Sequence, residues 1–328
     1  MREFGFELAL CAHLETETDG IVSRQLGAGV ADPGGRVIDA LLVESGPEFD
    51  ERVAITPERI PDAAIESSVG PGRARHWKDV VSGHPDRAWR AVERAVEVGF
   101  FERERRNGRT YVRQTVRYPD WYGRLIGIEN KPDLGRPGDL ETQLRTDVSL
   151  GLLDEIVLAT ASYVTGAHLN RIPDEVGVWR FDPETGERVV IREPTSLDPE
   201  GFGIEPLDRQ PGRTEIAVVS PEEKERRRRR MAERAYAKGW RTFAFPGCAE
   251  CSVREVGSEP STKSTASLPD CAWKGRVIDP AGCGPSCPGY DPAELPDVDL
   301  DAERAERTPW EPNPEGRRRR QAGLDRFG

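Results

Sequence analysis

At 328 residues the chain is long enough to bury a sizeable core and to form two or three compact units. No apolar run approaches the roughly 18 residues that span a bilayer, and the start, MREFGFELALCAHLE, has no cationic region leading into an apolar stretch, so the expectation is a soluble, cytoplasmic protein without a signal peptide. Asp and Glu total 58 against 47 Lys and Arg, of which only six are Lys. The net charge of −11 disfavours non-specific attraction to nucleic acid. That argument weakens in concentrated salt, for which a carboxylate-rich, Lys-poor surface is suited, and local patches then say more than the total.

In chain order, Phe4, Glu7, Leu8, Cys11 and Leu14 recur at helical spacing and predict an amphipathic helix over 2–15. A strand or turn follows at 21–26. After the turn Asp32-Pro33-Gly34-Gly35, residues 36–44 read as a strong strand. The character then changes. Helical stretches near 73–82 and 85–98 lead into two strand-like runs joined by Asn107-Gly108, the strongest short hairpin signal. Helix, helix, hairpin resembles a winged helix-turn-helix, whose wing would carry Arg103, Arg105, Arg106, Arg109 and Arg113 as DNA contacts, with Trp77 and Trp89 read as core.

The α/β pattern resumes with a strand at 125–131, a helix at 139–154, a buried strand at 155–161 and a short helical piece near 166–171. Residues 176–181 and 188–192 pair across a turn, and 214–219 is a strand. Ser220-Pro221-Glu222-Glu223 then opens a helix with good capping chemistry. Beyond 292 the chain is Pro-rich, charged and without periodicity, and is expected to be disordered.

Three charged residues stand out within this frame. Asp39 lies inside an otherwise apolar strand, where an uncompensated charge is costly. Glu129 and Lys131, two apart on a strand, point to one face, while Ile128 and Asn130 point to the other. Gln143 sits twelve residues beyond Lys131 on the next helix, and Glu7 occupies the apolar face of the first. Carboxylates plus an ammonium are the kit for phosphodiester hydrolysis. A hard divalent ion takes one or two carboxylates and keeps waters, and a Lys beside it orients the attacking water.

This order resembles the PD-(D/E)XK, or restriction-endonuclease-like, nuclease superfamily: helix with Glu, strand with Asp, strand with Glu-x-Lys, helix with Gln. The resemblance implies Mg²⁺ bound by Asp39 and Glu129 with Glu7 assisting, Lys131 acting on the nucleophile and Gln143 positioning groups near it. It implies a mixed sheet flanked by helices, DNA as partner and a role in repair or defence. The acidic, Lys-poor style resembles an uncharacterised haloarchaeal family. The alternative is a DNA-binding or regulatory protein on a nuclease-like scaffold that has lost activity. Two features depart from the family: the long insertion between the two site strands, and the polar Asn130 between Glu and Lys, which suggests an edge strand or divergence from the family.

Cys248-x2-Cys251 and Cys283-x3-Cys287, with Cys271 between them, read as a structural zinc site of four thiolates drawn from five. An iron–sulfur cluster is the rival, with Cys11 either its outlying ligand or a buried core thiol. The five consecutive arginines 226–230 could contact phosphates or pair with nearby Glu, and Arg317–Arg320 reads as a solvated run. His13, His76, His84 and His168 read as structural. The expected organisation is a nuclease-like core over 1–50 and 120–220 and an inserted winged-helix-like domain over 51–119. A basic helix with a Cys-rich metal-binding module covers 221–292, and a disordered tail covers 293–328.

Overall fold

The computed structural model describes residues 3–256 and 266–316. In chain order these form α1 (Glu3–Glu17), β1 (Ile21–Gly27), β2 (Val37–Ser45), α2 (Phe49–Val53), α3 (Asp62–Ile65), β3 (Arg75–His76), α4 (Pro85–Glu97), β4 (Phe101–Arg106), β5 (Arg109–Gln114) and β6 (Tyr122–Asn130). There follow α5 (Leu140–Leu150), β7 (Glu155–Thr160), α6 (Gly166–Leu169), β8 (Gly177–Phe181), β9 (Arg188–Arg192), β10 (Gly203–Gln210) and β11 (Arg213–Val219). The chain continues through α7 (Pro221–Lys238), β12 (Cys251–Val256), β13 (Ala266–Cys271), β14 (Arg276–Val277) and α8 (Leu300–Arg307). Two compact units result: one holds the chain up to Ser45 and Tyr122–Pro309, the other Gly46–Trp121 and the chain from Trp310. Among the described residues no helix is long and apolar enough to cross a membrane.

The first unit is built on a six-stranded mixed sheet in the order β1-β2-β6-β7-β8-β9. β1, β2 and β6 run antiparallel, β6, β7 and β8 run parallel, and β9 returns antiparallel. The strands that sequence places 80 to 90 residues apart are thus direct neighbours, with Ala40 opposite Ile128 and Leu42 opposite Ile126. Their alternate residues Ala40, Leu42, Ile126 and Ile128 face α1, with Val157, Ala159 and Phe181 from the next strands. α7 also packs on β1, β2 and β6, and Ser23, alternating with Val22, donates to the carbonyl of Gly239 just beyond that helix.

The first helix is not amphipathic. Every residue from Gly5 to Ala12 is buried, because the Cys-rich segment packs on the side that sequence leaves to solvent: Ala266 and Leu268 of β13 belong to the same core. The segment from 293 also departs from expectation, since it contains α8. Buried arginines rather than apolar residues hold this helix, which is why periodicity misses it. Arg307 Nε donates to Glu15 at 2.9 Å, Arg241 grips Glu15 through two bonds at 2.6 and 2.7 Å and Glu303 through one at 2.8 Å, and Arg304 donates to the carbonyl of Tyr236. Burial alone would raise the Glu15 carboxyl; the hydrogen bonds and charge of Arg241, with Trp240 and Arg307, outweigh it and hold the group below its usual range. Glu15→Gln should therefore cost about 3–5 kcal/mol, because buried Arg307 loses its acid partner and Arg241 keeps only Glu303. Because the folded value lies below the ordinary one, this stabilisation is present above about pH 4.5 and is lost on acidification. Urea denaturation of the variant near neutral pH checks it; a loss under about 1 kcal/mol would contradict it. Arg317–Arg320 lies outside the described residues.

In the second unit β3, β5 and β4 form a three-stranded sheet in that order. Asn107 and Gly108 take φ values of 48° and 73°, the mirror-image two-residue turn expected of Asn-Gly. The helix expected over 73–82 is instead the strand β3 followed by a single 3-10 turn at Trp77–Asp79, because Arg75 and His76 pair with Val112 and Tyr111 of β5. Tertiary pairing overrides local helical preference here.

Candidate functional site

A polar cleft of about 510 Å³ opens at the ends of β2 and β6. All five residues that sequence assigns to catalysis line it: Glu7, Asp39, Glu129, Lys131 and Gln143. Each reaches it from a different element. Glu7 comes from the middle of α1, Asp39 from near the start of β2, Glu129 from the end of β6 and Gln143 from the first turn of α5. β6 ends at Asn130, so Lys131 lies just past the strand, held to β7 by its N–H to the carbonyl of Ala159 at 2.9 Å.

The two site strands are tied at this point. The Asn130 backbone N–H donates to Asp39 Oδ2 at 3.0 Å. Asn130 is not on an edge strand, as its polarity suggests: β6 lies between β2 and β7. Its side chain serves the site, since Nδ2 donates to Glu7 Oε2 at 3.1 Å. Glu7 is saturated by three partners, with Arg24 Nε at 2.6 Å and Gln25 Nε2 at 3.1 and 3.2 Å completing the set. Gln25 also reaches Asp39 Oδ1 at 3.3 Å. It does so with φ at 53°, in the left-handed region that costs a non-glycine residue about 1 kcal/mol or more.

Below Asp39 lies an ion cluster that sequence does not reveal. Arg36 donates to both oxygens of Asp147, at 2.8 and 2.6 Å, and its Nη2 lies 2.5 Å from Glu129 Oε1. Two buried carboxylates thus share one cation. Asp147 carries the one available sequence signal, because it follows Gln143 by four residues and so lies on the same face of α5.

Burial pushes Glu129 up to about 8; Arg36 opposes, and Asp39 and Asp147 add to the rise. Burial also raises Asp39, against the Asn130 N–H and with Glu7, and raises Asp147 against Arg36. Burial is the largest cause in all three, and repulsion between carboxylates adds to it at Asp39 and Glu129. Folding takes up a proton at Glu129 between its ordinary value of 4.5 and about 8, so its contribution to stability falls as pH rises through that window. Glu129→Gln mimics the protonated acid. Without divalent ions the wild type should lose ground to this variant by a few kcal/mol between about pH 5 and about pH 9. Melting curves across that range test this, and a gap that does not change with pH would refute it.

Among the described residues no three His, Cys, Asp or Glu side chains stand close enough together to hold a metal ion as placed. The cleft offers two carboxylates, Asp39 and Glu129, and a buried Asn130 Oδ1 that has no hydrogen-bond partner among the described residues. Two carboxylates suit a Mg²⁺ ion that keeps most of its waters.

The C-terminal thiols neighbour one another without forming, among the described residues, a group that could hold a metal as placed. Cys251 lies directly opposite Cys271 across β12 and β13, and its N–H donates to the Cys248 carbonyl at 2.9 Å. Burial, and then the thiols of Cys283, Cys248 and Cys271, push Cys251 up to about 11. Cys287 is among the groups acting on Cys283. Cys11 is fully buried within the α1 core, where burial and then Glu7 hold its thiol protonated.

The basic patches separate into engaged and exposed groups. On the hairpin of the second unit, Arg113 pairs with Glu102 and Glu104, and Arg106 pairs with Glu104, whereas Arg103, Arg105 and Arg109 are exposed. Within the run 226–230, Arg228 binds Asp154 and the Leu152 carbonyl, Arg229 pairs with Glu225, and Arg227 is buried. That run is largely structural.

A mixed α/β sheet protein with a carboxylate-lined cleft at its strand ends, and a second unit inserted in the sequence between the two site strands, is the class that fold and site define. The chain belongs to a family of unknown function, DUF5787, whose profile matches residues 21–292. That span takes in Asp39, Glu129, Lys131, Gln143 and all five C-terminal cysteines, but not Glu7. No curated protein and no solved structure matches the chain.

Proposed function

We propose that this protein is a metal-dependent nuclease with a restriction-endonuclease-like core, acting on DNA. One observation carries the reading: Asp39 and Glu129, far apart in sequence, flank one cleft on adjacent strands with Lys131 beside them. The order helix with Glu7, strand with Asp39, strand with Glu129, helix with Gln143, all on one cleft, supports the same resemblance.

Asp39 and Glu129 would hold Mg²⁺. When bound, the ion supplies hydroxide near neutral pH and offsets charge on the phosphoryl oxygens. Lys131 Nζ, now 2.6 Å from the exposed Glu3, is free to turn toward the attacking water. Gln143 reaches the cleft mouth from α5 and orients that water or a phosphate oxygen. Glu7 is a positioning residue: its oxygens are taken by Arg24, Gln25 and Asn130, of which Gln25 and Asn130 also bond Asp39. Arg36 keeps Glu129 in place and is shared with Asp147.

In the second unit a short turn precedes α4, and the β4–β5 hairpin follows, with β3 beside β5; this supports a winged-helix reading of the insertion. A second reading is a DNA-binding scaffold without activity. It is favoured by Arg36, which already gives Glu129 a cation. Incubation with supercoiled and linear DNA in high salt separates the two. Cleavage that needs Mg²⁺ and stops with chelator supports the enzyme; binding without cleavage at any divalent ion supports the scaffold.

For the Cys-rich segment we propose a zinc ion held by Cys248, Cys251, Cys271 and Cys283, with an iron–sulfur cluster as the rival. Burial holds Cys251 protonated, and a bound cation would favour the thiolate form that ligation needs. Elemental analysis should find one zinc per chain, and Cys251→Ser should lose it and melt at lower temperature. Iron in its place selects the rival, and neither metal overturns both.

A further inference from the structure

The second unit carries a groove that its reading as a winged helix does not use. It has a volume of about 1260 Å³ and lies between β3, the turn after it, Trp89 of α4 and the tip of the β4–β5 hairpin. Its walls are aromatic. Trp77 and Trp89 meet with ring centroids 5.2 Å apart, and His76 and Tyr111 at 5.7 Å. Both tryptophans are half-buried, packed on the unit's core by one side and open to the groove by the other. A methyl group added at Gly70, Gly72 or Gly108 would meet nothing within 4 Å, so the floor and rim are open.

The rim is positive in a chain that is negative overall. Arg73, Lys78 and Arg109 are exposed along it, with Lys78 Nζ 5.5 Å from the Trp77 ring centre, and among the described residues Asp79 is the single acidic one lining the groove. Arg75 also lines the groove and bonds the carbonyl and hydroxyl of Ser68. Arg106 and Arg113, which sequence offers as DNA contacts, are already paired with glutamates.

Half-buried rings beside exposed cations, with Arg106 already lying over Tyr111, suit one ligand chemistry. A base offers a flat face to stack and a phosphate nearby to pair, but a duplex hides those faces inside its own stack. We propose that this groove binds single-stranded nucleic acid, with unpaired bases stacked on Trp77, Trp89 and Tyr111 and the backbone held by Lys78, Arg73 and Arg109. If the nuclease reading holds, its substrate is then an unpaired end or gap rather than continuous duplex. This last step rests on that reading; the binding itself does not.

The test uses the full chain carrying Lys131→Ala, with chelator present so that cleavage plays no part, and a fluorescein-labelled oligothymidylate. Binding should quench tryptophan fluorescence and exceed binding to a duplex of equal length. Tyr111→Ala and Trp77→Ala should each weaken it roughly tenfold, as the loss of one stacked base would. Lys78→Ala with Arg109→Ala should weaken it several-fold and flatten its salt dependence. Those two side chains are exposed, so this pair decides the matter even if Trp77→Ala fails to fold. No binding of the oligonucleotide, equal binding of duplex, or affinity unchanged in Lys78→Ala/Arg109→Ala overturns the proposal. Oligonucleotide binding by a protein that never cleaves DNA would leave this groove standing and remove the nuclease.

Discussion

Lys131→Ala is expected to fold normally, bind Mg²⁺ and cleave DNA about a hundredfold to a thousandfold more slowly than wild type. The expectation follows from where Nζ sits. Its partner in the structure is Glu3, an exposed residue, and a surface ion pair of that kind is worth about 1 kcal/mol or less. The side chain thus does little for the fold, yet it lines the cleft beside two raised carboxylates. Lys131→Arg should not restore the rate, because a planar guanidinium cannot place a compact charge at the same point. Asp39→Asn should differ in kind by lowering both cleavage and metal affinity. Single-turnover cleavage at saturating metal checks the series; an unaltered rate in Lys131→Ala would remove that residue from the mechanism.

Arg36→Ala should be the most destabilising single change at the site. The guanidinium is buried against Asp147 and Glu129, which are both buried as well. Breaking a buried pair from one side leaves uncompensated charge and typically costs about 3–5 kcal/mol. Both carboxyls are already raised, so protonation would relieve part of the loss. The destabilisation should therefore be smaller near pH 5 and larger near pH 8, roughly following the Glu129 carboxyl. Replacing both partners, Arg36→Met with Asp147→Leu, should recover much of the stability, since it removes the buried charge rather than orphaning it. Denaturant melts at the two pH values test this, and a pH-independent loss would show that the cluster does not share its charge as described.

The residues of the cleft were legible because they sit where local rules are broken. A carboxylate in an apolar strand, a Glu-x-Lys pair after another apolar run and a Glu on an apolar helix face are conflicts that need partners from elsewhere in the chain or a ligand. What holds these residues was not legible. Arg36, Gln25 and Asp147 matter through contacts that cross 14 to 123 positions of sequence in their network, and no window spans such distances. Asn130 misled for the same reason: its polarity suggests an edge strand, but it is a buried donor to Glu7 in the interior of the sheet. α8 was missed because buried arginines, not apolar periodicity, dock it on Glu15. The Asn107-Gly108 hairpin was read correctly because two residues suffice to set that turn.

The central claim is that the carboxylates of β2 and β6 serve one cation. Titration with Mn²⁺, followed by the loss of free-ion electron paramagnetic resonance signal, measures this in the absence of DNA. One ion per chain should bind in wild type and in Lys131→Ala, and neither Asp39→Asn nor Glu129→Gln should bind it. Binding that survives both substitutions would contradict the account.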